Sequence, residues 1–66
     1  MNSFKFVVRF FEKKKWVVRA GFKNAADALI YARELSERWP SYRVALFEGF
    51  KINREYIFQA GHRVPH

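Results

Sequence analysis

The sequence predicts an α+β domain in which a single helix packs on one face of a four-stranded antiparallel sheet, in the order ββαββ with strand order 2-1-3-4. Three observations lead there. Two runs before residue 23 alternate at period two, the stretch after Asn24 repeats apolar residues at three- and four-residue spacing, and two more alternating runs follow. With 66 residues, the chain holds one domain, expected over residues 1–61, and a flexible tail over 62–66.

In the first run, Phe4, Phe6, Val8 and Phe10 share one side, and Lys5, Val7, Arg9 and Phe11 share the other. The second run sorts Trp16, Val18, Ala20 and Phe22 from Lys15, Val17, Arg19 and Gly21. The connection Glu12-Lys13-Lys14-Lys15 lacks the Gly, Asn or Pro of a two-residue hairpin, so a loop of three or five residues is expected. Such a loop pairs Phe10 with Trp16, Val8 with Val18, Phe6 with Ala20 and Phe4 with Phe22, whereas a two-residue loop would set Arg19 beside Val8. The lysines at its tip form either an exposed like-charge knob or a phosphate-contacting loop.

Asn24 is the expected N-cap of the helix, with Asp27 at the third helical position, where free amides and the positive end of the dipole favour a carboxylate. Ala25, Ala28, Leu29, Ala32, Leu35 and Trp39 form its inner stripe, interrupted by the small Ser36. Pro40 ends the helix, because the residue before a proline leaves the helical region; the span is Ala25 to Arg38. A third strand covers Tyr42 to Glu48, with Tyr42, Val44 and Leu46 inward and Arg43, Ala45 and Phe47 outward. A turn near Gly49 leads to a fourth strand over Tyr56 to Ala60, with Phe50 and Ile52 in the connection. The helix carries the chain back parallel to the second strand, so the third lies beside the first, and the first becomes internal.

Thirteen Lys plus Arg against six Asp plus Glu give a net charge of +7, which favours anionic partners: nucleic acid or an acidic protein surface. The same charge could serve solubility alone. No apolar run approaches the ~20 residues of a membrane span, the N-terminus lacks the regions of a signal peptide, and the absence of cysteine fits a reducing cytoplasm.

Catalysis is not expected. Glu34 and Glu37 lie on the charged outer face of the helix, the serines have no histidine near them in sequence, and His62 and His66 flank a proline rather than forming a helical metal pair. No metal or cofactor is expected. The candidate site is instead the uncovered sheet face, where Lys5, Arg9, Lys13, Lys14, Lys15, Arg19 and Arg43 would neutralise phosphates and Phe11 and Phe47 would stack on bases. The rival expectation uses Val7, Phe11, Val17 and Phe47 as an apolar interface, for a homodimer or for another protein that the chain would inhibit or adapt.

Gly21-Phe22-Lys23-Asn24-Ala25-Ala26-Asp27-Ala28 resembles the strand-to-helix segment of the arm-type DNA-binding domains of tyrosine-family phage integrases. The resemblance implies binding through a sheet, which in those domains enters the major groove, and it carries over no individual site residue. This chain differs in having two strands before the helix and further strands after it. The expected role is a small binding module of the kind that compact phage or plasmid genomes encode.

Overall fold

The computed structural model describes residues 4–65. It contains β1 (Phe6–Glu12), β2 (Lys15–Phe22), α1 (Ala25–Arg38), β3 (Val44–Glu48), β4 (Lys51–Gln59) and β5 (His62–Arg63). All strands join one antiparallel sheet in the order β2-β1-β3-β4-β5, with α1 on one face. The α+β class and the 2-1-3-4 order are as expected, and β5 extends the sheet by one short strand.

Helix α1 begins and ends where its sequence requires. The Asp27 amide donates to Asn24 Oδ1 at 2.9 Å, capping one of the amides that have no partner within the helix, and Asn24 Nδ2 donates to Asp27 Oδ2 at 3.0 Å, which holds the capping side chain in place. At the other end the Trp39 amide still reaches Leu35 O, and Pro40 prevents another turn. The helix buries Ala28, Ala32, Leu35 and Ser36 against Val8, Val44, Leu46 and Phe58, with Phe6, Phe10, Phe22 and Leu29 around them. Three small side chains in that stripe let the helix approach the sheet closely. Leu29 is only half-buried and Trp39 exposes 47% of its surface, so neither anchors the helix as expected of the stripe.

The β1–β2 hairpin corrects the expected register. Its loop has two residues, Lys13 and Lys14, both in the left-handed region at φ 52° and 67°, and Glu12 pairs with Lys15. Positive φ at both central positions is what a two-residue loop needs to match strand twist, and the lysines supply it without glycine. The predicted clash of Arg19 with Val8 is avoided by a bulge: Arg9 pairs with Val18 and Val8 with Ala20, leaving Arg19 as the extra residue. On the loop side of the bulge, Phe11 pairs with Trp16 and Phe10 with Val17; beyond it, Phe6 pairs with Phe22. Trp16 and Val18 therefore face away from the helix, and Lys15 and Val17 face toward it, the reverse of the expected sides.

The other strands differ at their limits. The third strand starts at Val44, Tyr42 having turned back to stack near Trp39. Strand β4 is longer than expected, beginning at Lys51 and taking in Ile52. Between Ile52, which pairs with Phe47, and Ile57, which pairs with Ala45, it bulges outward; the Glu55 amide bonds the Asn53 side chain at 3.0 Å within that bulge. Within the expected tail, His62 and Arg63 form a short strand. Ala60 and Gly61, at φ 54° and 84°, turn the chain so that Gln59 pairs with His62 and Phe58 with Arg63. The Ser36 hydroxyl accepts from the Gly61 amide at 3.0 Å and donates to Arg33 O at 2.7 Å, tying this turn to α1. His66 lies outside the described residues.

Candidate nucleic-acid interface

The face opposite α1 has a small core of its own. Ala45, Phe47 and Ile57 are buried on it, surrounded by Val7, Trp16, Ile52 and Val64. Trp16 meets Phe11 and Phe47 edge to face, with centroids 5.1 Å and 5.5 Å apart, a preferred geometry for aromatic rings. Val64 is brought there by β5, whose continuation donates the Val64 amide to Ile57 O at 2.8 Å. Phe4 covers the other end. A Cβ on Gly21 would come within 2.5 Å of the Phe4 ring, so only glycine at that strand position lets the ring lie on the backbone.

Arg9 is the central cation. It pairs with Ala45, whose small side chain leaves room for the arginine to lie along the sheet toward its diagonal neighbour Phe47. Its guanidinium carbon stands 4.8 Å from the Phe47 centroid and 5.8 Å from that of Phe50, within cation–π range of both. Its Nε is buried and has no acceptor among the described residues. Phe50, at the tip of the β3–β4 turn after Gly49, is 93% exposed. Phe11 shows 39% and Val18 58% of their surfaces on the same face, whereas Phe47 shows 6%.

The predicted site residues fall into four groups. Arg9, Phe11 and Val7 lie on the open face, and Arg43 joins them at its edge, where its carbonyl accepts from the Phe11 amide at 2.8 Å. Lys13 and Lys14 form the exposed hairpin tip next to Phe11 and Trp16, and Lys5 holds the opposite end, with its carbonyl bonded to the Gly49 amide and its Nζ 5.7 Å from the Phe6 ring. Lys15, Val17 and Arg19 are on the helix side because of the two-residue loop and the bulge, so they do not belong to this face. Phe47 is on the face but lies beneath Arg9 and Trp16, where it supports the cation rather than meeting a ligand. The expected apolar interface loses Val17 and most of Phe47 for the same reasons. Trp16, Phe50 and Phe4 were not expected here. Only Trp16 had a usable signal, the two-residue register that puts it opposite Phe11.

A second concavity lies on the helix side, beside the bulge. Phe10, Glu12, Arg19, Leu35, Trp39, Tyr42 and Val44 line a cleft of about 170 Å³. The Tyr42 ring stacks near Trp39 at 6.2 Å and 21°, lies 5.5 Å from Phe10, and its hydroxyl donates to Glu12 Oε2 at 3.2 Å. The Glu12 charge and that hydrogen bond hold the Tyr42 pKa above its ordinary value. Among the described residues no cluster of His, Cys, Asp and Glu has the makings of a metal site, and no helix is long and apolar enough to cross a membrane. Comparison with protein-family models, with curated proteins and with solved structures finds no match to this chain.

Proposed function

We propose that this protein is a small non-catalytic module that binds nucleic acid against its open sheet face. The observation that carries the reading is Arg9, whose guanidinium lies over Phe47 and beside the exposed Phe50. A guanidinium supported by a ring is already ordered, so it loses little freedom on meeting a phosphate, to which its outer nitrogens can donate. Exposed rings on either side suit unpaired bases, since every base presents a π-face and stacking on an aromatic side chain contributes about 1–3 kcal/mol per base. Phe50 and Phe11 supply those rings, and Lys13, Lys14 and Arg43 supply further phosphate contacts. The net charge of +7 adds long-range attraction. A cytoplasmic setting belongs to the same reading, because a chain without cysteine needs no oxidising compartment.

The test is fluorescence anisotropy with single- and double-stranded oligonucleotides over a series of salt concentrations. Single strands are expected to bind more tightly, with affinity falling as salt rises. Replacing Arg9 and Arg43 with glutamine should reduce the salt slope by about one unit for each phosphate no longer neutralised. Absence of binding by the unaltered protein at low salt would overturn the reading.

The same exposed Phe50, together with Phe4 and Val18, favours a second reading, in which the face docks by apolar contact on another protein or on another copy of the chain. Apolar docking changes little or strengthens as salt rises, so the salt series separates the two readings.

A further inference from the structure

The cleft beside the bulge is not used by the open face, and its lining is specific enough to name a ligand. Leu35 and Val44 form an apolar floor, Phe10, Tyr42 and Trp39 form aromatic walls, and Glu12 and Arg19 bring one acceptor and one donor to the same opening. At about 170 Å³ it exceeds the ~150 Å³ that admits a benzene-sized ring, and because the cleft is open to solvent the second ring of a fused pair can lie in its mouth. Trp39 leaves 47% of its surface exposed, so indole surface remains available beside Tyr42.

The charges narrow the choice. A cationic ligand would meet Arg19, with Lys15 paired beside Glu12, and an anionic group would meet the Glu12 carboxylate. The lining instead suits a neutral planar ring that carries N–H donors on one part of its edge and acceptors on another. Guanine has that edge: its N1 and N2 hydrogens suit a carboxylate, while O6 and N7 are the acceptors that arginine pairs with most often. Glu12 retains accepting capacity for this, because Tyr42 occupies only Oε2. The two lysines of the turn follow Glu12 directly, placing phosphate-binding charge next to the opening.

We propose that this cleft holds one unpaired guanine of a single-stranded nucleic acid, stacked against Trp39 and Tyr42, with Glu12 accepting from its N–H groups and Arg19 donating to its acceptors. The proposal rests on the nucleic-acid reading and adds base preference to it. Strand binding on the open face supplies affinity, and the cleft supplies discrimination.

The chain has two tryptophans, one at each site, so each site reports separately. Trp16→Phe leaves Trp39 to report the cleft, and Trp39→Phe leaves Trp16 to report the open face. Each variant is titrated, with tryptophan fluorescence as the readout, against GMP, AMP, a short single strand containing one guanine, and a guanine-free strand of equal length. In Trp16→Phe protein the guanine strand should quench Trp39 at a concentration about tenfold lower than the guanine-free strand. Adding Glu12→Gln, which keeps an acceptor for Tyr42, should abolish that preference; added to Trp39→Phe protein, it should leave the Trp16 response to the guanine-free strand unchanged.

A silent Trp39 with a responsive Trp16 overturns the guanine site and leaves the open-face reading standing. Two silent reporters with flat anisotropy overturn both. Equal quenching by both strands, unaffected by Glu12→Gln, overturns base recognition. GMP binding as tightly as the guanine strand upholds recognition of the base but overturns a strand as its source.

Discussion

Lys13 and Lys14 show what a single residue contributes to this fold. Both take the left-handed conformation, which costs a residue with a Cβ roughly 1–2 kcal/mol, and glycine or asparagine would relieve it. Lys13→Asn combined with Lys14→Gly should therefore stabilise the protein by about 1–2 kcal/mol, read as a higher denaturation midpoint at unchanged slope. The same variant should bind oligonucleotides less tightly, since two tip charges are removed. Gly61 is the opposite case. At φ 84°, and with a Cβ position only 2.7 Å from Glu37 Cγ, it sits where no side chain fits without strain. Tyr42 gives a pH prediction. Its folded pKa is raised above the ordinary 10.0 by Glu12, so the stability it contributes is fully present below about pH 10 and is lost as pH rises through the folded value. Chemical denaturation across the alkaline range should show this loss, and Tyr42→Phe should remove that part of it.

At the scale of elements, the helix and the bulge carry most of the architecture. Leu35, with 6% of its surface exposed, is the largest buried side chain of α1, and Leu29 is half-buried at the border of the core. Leu35→Ala should cost about 2–5 kcal/mol and Leu29→Ala clearly less, with urea denaturation of the two variants as the check. Equal costs would mean that the helix is rotated toward Leu29. The bulge at Arg19 serves both faces of the sheet. It keeps Ala20 and Phe22 opposite Val8 and Phe6 under the helix while leaving Trp16 opposite Phe11 on the other side. It also turns Arg19 into the cleft beside Trp39 and Tyr42. One inserted residue thus creates the donor of the cleft and the aromatic cluster of the open face.

For the whole molecule, size and charge set the behaviour. A 66-residue chain without disulfides has a small core and limited stability, and the second cluster around Phe47 and Ile57 adds burial on a face that one helix cannot reach. That cluster bears on self-association. Because Phe47 is buried within the chain and Val17 faces the helix, less apolar surface remains for a two-fold dimer, and Arg9 and Arg43 would face their own copies across it. Sedimentation should find a monomer at low salt, with any association appearing as salt screens the arginines. A stable dimer at low salt would place the docking surface elsewhere, at an edge of the sheet or at Phe50.

The amino-acid sequence by itself determined the elements that depend on near neighbours. Asn24 and Asp27 cap a helix through contacts three residues apart, Pro40 ends it by local sterics, and alternation along Phe6 to Phe11 and Val44 to Phe47 assigns each side chain to a face. The strand order followed as well, since a helix between the second and third strands leaves the first strand inside. From the open face, Arg9, Phe11 and Arg43 were legible for the same reason. The tertiary structure alone decided the register of β2, because two lysines in left-handed conformations and a bulge at Arg19 are locally unfavourable and are offset only by contacts across the sheet. That decision exchanged Lys15, Val17 and Arg19 for Trp16 and Val18 on the open face. It was also contacts between distant residues that made β5, through Ser36 and the pairing with β4, and that closed the cleft from Glu12, Arg19, Trp39 and Tyr42. Period and capping act over a few residues, whereas the energies that choose a register belong to strands and a helix already packed together.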